Sequence, residues 1–126
     1  MRAVIWVAVV VVLLILALTY GRALLAPTDP TEPAGVRELT VQGFEYGFDP
    51  AELTIHRGET VRLLFRNTGN IQHDLTIPDW DAATPVLAPG EEAVVEVQAR
   101  RSGAFRFLCS VPGHNELGMN GTIRVE

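Results

Sequence analysis

The chain has 126 residues, room for one ordinary domain with a single core. Its net charge of -5 comes from 10 basic residues, all Arg, against 15 acidic ones, and with no basic cluster a nucleic-acid partner is excluded. A lone cysteine permits no internal disulfide, so an unpaired thiol outside the cytoplasm needs another explanation.

Ala3 to Tyr20 is an uncharged run of Val, Leu, Ile and Ala, toward the short end of what a membrane-spanning helix needs. A secretory signal is the rival, but the small residues near Ala17 and Ala26 make poor cleavage sites, so residues 1–22 read as an N-terminal membrane anchor or uncleaved signal. With Arg2 on the cytoplasmic side, the expected location is the cell membrane, single-pass, with everything after the anchor extracytoplasmic. Residues 23–35 carry prolines at 27, 30 and 33 among small and acidic neighbours, the composition of an extended linker. At about 3.1 Å per residue the proline segment reaches on the order of 30 Å when fully extended.

From Val36 to Glu126 the pattern is short strands between turns, with no helical period. Strands are expected over Arg37–Phe44, Glu52–His56, Thr60–Asn67, His73–Ile77, Glu91–Ala99, Ala104–Cys109 and Gly121–Glu126, and a loop over Asp79–Leu87. In Thr60–Asn67, Val61, Leu63 and Phe65 alternate with Arg62, Leu64 and Arg66, which buries one face. Seven or eight such strands predict an all-β fold, a Greek-key antiparallel β-sandwich over residues 36–126 preceded by the one transmembrane helix. Parity predicts more. If Phe105 and Phe107 face the core so does Cys109, and if Leu75 and Ile77 do so does His73. Met119 falls in phase with Ile123 and Val125 if the register holds.

Cys109 is followed by His114 and then Met119, each five positions on, in a loop stiffened by Pro112 and turned by Gly113 and Gly118. Singly, a buried Cys, a core Met and a strand His are ordinary packing residues. Together, with His73 on another strand, they are the thiolate, two imidazoles and weak thioether of a mononuclear type 1 (blue) copper site. The expected metal ligands are His73, Cys109, His114 and Met119.

Val36 to Glu126 resembles the cupredoxin family over nearly its whole length, from Phe48-Asp49-Pro50 and Arg57-Gly58-Glu59-Thr60-Val61 to Gly118-Met119-Asn120-Gly121-Thr122-Ile123. The ligand loop is similar to that of rusticyanin, auracyanin and sulfocyanin-like members. The resemblance implies His73, Cys109 and His114 as equatorial ligands and Met119 as axial ligand, with the His114 imidazole near the surface in an apolar patch beside Pro112 and Leu117. It departs from the family where Asn or Ser commonly follows the first His; here Asp74 does, to lower the reduction potential or to fix the loop differently. His56, the remaining histidine, reads as an exposed turn residue.

The function expected is single-electron transfer between redox proteins such as a terminal oxidase or cytochrome, with no small-molecule substrate and no enzymatic activity. Three histidines are too few for a second, catalytic copper with an open position. Gly113 stands where a binuclear centre needs a second cysteine. A carrier or chaperone delivering copper to an oxidase is the alternative, and the scarcity of methionine leans against it.

Overall fold

Strand-period burial organises the computed structural model, which describes residues 35–126. The strands are Val36–Phe44 (β1), Gly47–Asp49 (β2), Glu52–Ile55 (β3), Thr60–Asn67 (β4), Thr76–Ile77 (β5), Ala82–Ala83 (β6), Glu92–Gln98 (β7), Gly103–Leu108 (β8) and Asn120–Val125 (β9), with one 3-10 turn at Pro78–Trp80. The expected anchor, and the expected linker except for Gly35, lie outside the described residues. Among the described residues no helix is long and apolar enough to cross a membrane.

Two sheets form, ordered β2-β1-β4-β7 and β3-β9-β8-β5-β6. Val61, Leu63 and Phe65 of β4 point inward, as their alternation requires, and meet Phe105, Phe107, Ile123 and Val125 from the opposite sheet in one core. Phe48 from β2 joins the two halves: its ring lies edge-on to Phe65 and to Phe107, with centroids 6.0 and 5.0 Å away. The Phe107 ring occupies the place a side chain at position 121 would take, so only glycine fits there.

The sequence predicts a sandwich antiparallel throughout, and the structure departs from that: β1 pairs with β4, and β3 with β9, in parallel. The path of the chain is the cause. After β2 it crosses to the other sheet as β3, turns at Arg57-Gly58-Glu59 and returns as β4, which therefore starts at the same end as β1. The loop expected over Asp79–Leu87 contains the short β6, and His73 makes only an isolated bridge, to Leu87, ahead of β5.

The Arg57–Glu59 turn closes the end where β4 begins. Glu59 accepts from the His56 amide (2.8 Å) and from the Arg37 guanidinium (2.7 and 3.1 Å), which also donates to the Thr54 carbonyl (3.0 Å). The His56 N–H first, and then Arg37, hold the Glu59 carboxyl below its ordinary pKa. A depressed folded-state pKa adds stability above the unfolded value, lost as pH falls through the folded one. Denaturant titrations should therefore show Glu59→Gln less stable than the parent at neutral pH, the gap closing once acid protonates Glu59.

Candidate metal centre

At the other end, where β1 and β4 finish, β8 delivers Cys109 and β9 begins just after Met119. Phe105, Phe107 and Cys109 are all buried on one face, and so are His73, Leu75 and Ile77, as strand parity requires. Met119 is buried in phase with Ile123 and Val125. Its amide donates to the His114 carbonyl (3.0 Å), and its carbonyl accepts from the Cys109 amide (3.1 Å), so its backbone bridges the two ends of the loop. Gly118 makes the turn that precedes Met119. No protein atom lies within 4 Å of where its Cβ would stand, and its φ of +100° is what calls for glycine.

Three side chains converge. His73 Nδ1 and His114 Nδ1 are 3.2 Å apart, and Cys109 Sγ is 3.9 Å from the first and 3.5 Å from the second. All three residues are buried. A point equidistant from the three atoms is about 2 Å from each, the length of a bond from a first-row metal to imidazole nitrogen. One soft thiolate and two imidazoles in a trigonal set suit copper. His56 is exposed in the turn at the far end of the sandwich and takes no part.

The thiol is pushed above its ordinary pKa, by burial foremost and also by the Asp74 carboxylate, while the amides of Asp74 and Val111 donate to it and pull the other way. A metal cation reverses that balance by holding the thiolate directly.

Asp74 fixes the loop. It is buried, and its carboxylate accepts from the Ser110 amide (2.6 Å), from the Ser110 hydroxyl and from the Thr76 hydroxyl (3.3 Å). It thus latches the residue after His73 to the residue after Cys109.

Two polar residues that sequence reading did not single out hold the His73 side. Buried Asn67, at the end of β4, donates to the Ile71 and Leu87 carbonyls (2.8 and 2.9 Å) and accepts from the Gly69 amide (3.0 Å). Its signal was available: it continues the inward series Val61, Leu63, Phe65, and an inward amide must find partners. Glu45, in the β1–β2 turn, accepts from the Asn70 and Ile71 amides (2.7 and 3.0 Å) and lies 3.2 Å from His73 Nε2. Those contacts, the Asn70 amide foremost, lower its pKa to about 2. Nothing in the local sequence announces it.

His114 is 8% exposed, and the Tyr46 ring stands edge-on to it at 5.0 Å. Tyr46, Ile71, Val86 and Leu117 are large apolar side chains exposed on the loops at this end, with Pro112 exposed beside them.

Comparison with known proteins agrees with this geometry. The family model of a cupredoxin-like domain matches residues 8–125. The copper-resistant cuproprotein CopI of Rubrivivax gelatinosus is 35% identical over 97 residues, 62% of this chain and 59% of that protein. A copper-containing nitrite reductase of Alcaligenes xylosoxydans xylosoxydans is 36% identical over 87 residues, 58% of this chain but 26% of the enzyme. The chain therefore spans less than two thirds of either relative. The structure of auracyanin A, a "blue" copper protein from Chloroflexus aurantiacus, superposes with a TM-score of 0.66 at 25% identity, covering 73% of this chain and 100% of that one.

Proposed function

The chain belongs to the cupredoxin family and is a copper-binding protein of the electron-transfer type, and from that premise we propose a membrane-tethered blue copper carrier of single electrons. His73 Nδ1, Cys109 Sγ and His114 Nδ1 would hold the ion, and the buried Met119 would add a weak thioether donor. The convergence of those three atoms about one point at bonding distance carries the reading. Bound copper supplies a one-electron couple.

The residues supply the rest. Strand ends and the Asp74 and Asn67 hydrogen bonds hold the donor atoms in place, which favours rapid transfer because little has to move between oxidation states. The core behind Cys109 keeps water away from the thiolate. His114, against Tyr46 and among exposed apolar side chains, gives electrons a short path to a docked redox protein such as a terminal oxidase or cytochrome. Tethering rests on the uncharged run Ala3–Tyr20, and the proline segment after it gives the domain reach on the extracytoplasmic side. An electron carrier rather than an enzyme also accords with the nitrite reductase similarity, which is confined to a quarter of that enzyme.

Copper delivery is the second reading, favoured by the likeness to a copper-resistant cuproprotein. Burial of His73 and Cys109 weighs against it, since handing over an ion requires ligands a partner can reach.

Copper titration with visible spectroscopy and voltammetry separates the two. An electron carrier takes up one copper per chain, develops an intense thiolate-to-copper band and shows reversible one-electron behaviour. A colourless protein that passes Cu(I) to an acceptor marks a carrier, and no uptake at all rejects both. Met119→Leu should keep copper and colour and raise the potential, because the thioether would be the weakest of the four donors.

A further inference from the structure

His73 offers Nδ1 to the cluster, and its Nε2 lies 3.2 Å from Glu45 Oε1. A carboxylate only accepts, so that contact is a hydrogen bond only if Nε2 carries the proton. Nδ1 is then left with its lone pair directed at His114 and Cys109, as a metal ligand requires. The same Oε1 accepts from the Asn70 and Ile71 amides at 2.7 and 3.0 Å, so three donors meet one oxygen. The place is kept open by Gly69, where a Cβ would come within 2.5 Å of that oxygen. The Glu45 side chain is only 28% exposed and His73 is fully buried, so the pair is partly shielded from water.

We propose that Glu45 is a positioning residue of the metal centre, fixing His73 in the Nε2–H tautomer and, through that hydrogen bond, lowering the reduction potential of the bound copper. This rests on the copper-site reading above. Partial transfer of the carboxylate's charge through Nε2–H makes Nδ1 a stronger donor, and a stronger donor favours Cu(II) over Cu(I). The β1–β2 turn thereby acts on a ligand 28 residues away in sequence.

The full chain, its Glu45→Gln variant and its Glu45→Ala variant provide the test. Nitrogen NMR of the imidazoles in the metal-free parent should show His73 protonated at Nε2 with a slowly exchanging proton; protonation at Nδ1 instead overturns the proposal and needs no variant. In Glu45→Gln the amide oxygen can still accept from Asn70 and Ile71, so the fold and the visible band should persist while the midpoint potential rises. Glu45→Ala removes the partner altogether and should weaken copper binding about ten- to a hundred-fold. An unchanged potential in Glu45→Gln, with unchanged affinity in Glu45→Ala, overturns the proposal. A parent chain that binds no copper sinks the copper-site reading instead, and the tautomer measurement on metal-free protein still decides the role of Glu45.

Discussion

Replacing Cys109 by serine should abolish the visible copper band and weaken copper binding more than any other single change at the site. The sulfur is the one anionic donor among the three converging atoms, and the band is a charge transfer from thiolate to metal. A serine hydroxyl at the same point has a far higher pKa, so a metal-bound alkoxide is not formed near neutrality. The protein itself should survive. The amides of Asp74 and Val111 that point at the sulfur can donate to a hydroxyl oxygen, leaving only the modest cost, about 1–3 kcal/mol, of a polar group in a buried place. Circular dichroism and a denaturant melt on metal-free protein read the fold, and a copper titration reads the site. His56→Ala is the matched control: the residue is exposed at the opposite end, and its loss should leave colour and potential unchanged. An intense blue band retained in Cys109→Ser, or lost in His56→Ala, would overturn the assignment of donors.

Residues that reveal themselves in sequence are those whose partners are dictated by strand period. The expected bounds of β4, Thr60–Asn67, coincide with the observed strand because eight residues of alternation between two turns leave little freedom. The same period foretold that His73 and Cys109 share the buried face with their neighbours, and the structure brings both within reach of His114. Pairing partners were less legible. A strand's residues state which face is buried but not which neighbour it joins, so the parallel pairs β1/β4 and β3/β9 depend on where the chain crosses between sheets. Strands β2 and β6 are three and two residues long, made of Gly, Phe, Asp and Ala, too short for any alternation to emerge. Glu45 is the extreme case. Its partners at 70, 71 and 73 are brought to it by the closing of β1 against β4, and no local pattern distinguishes it from a solvated turn glutamate.

Asp74 was visible as a departure from the family's habit, with two possible consequences, and its hydrogen bonds give it a structural task. Its carboxylate receives the Ser110 amide and hydroxyl and the Thr76 hydroxyl while its own amide points at the Cys109 sulfur. Asp74→Ala should accordingly damage both stability and the site. Each hydrogen bond to a charged acceptor contributes about 1.5–3 kcal/mol, but Ser110 is exposed and can turn to water, so a net loss of about 3 kcal/mol is expected rather than the sum. Copper affinity should fall about ten- to a hundred-fold, because the segments carrying His73 and Cys109 are no longer latched together. Asp74→Asn divides charge from geometry: its single carbonyl oxygen can keep the Ser110 amide bond, so it should recover part of the stability and most of the colour. Removing the negative charge beside the thiolate should also raise the potential above that of the parent. Chemical denaturation of the metal-free variants and voltammetry of the loaded ones supply the readings. If Asp74→Ala unfolds and binds copper like the parent, the latch between the two ligand segments carries no energy, and the rigidity of the centre must be sought in Asn67 and the sheet itself.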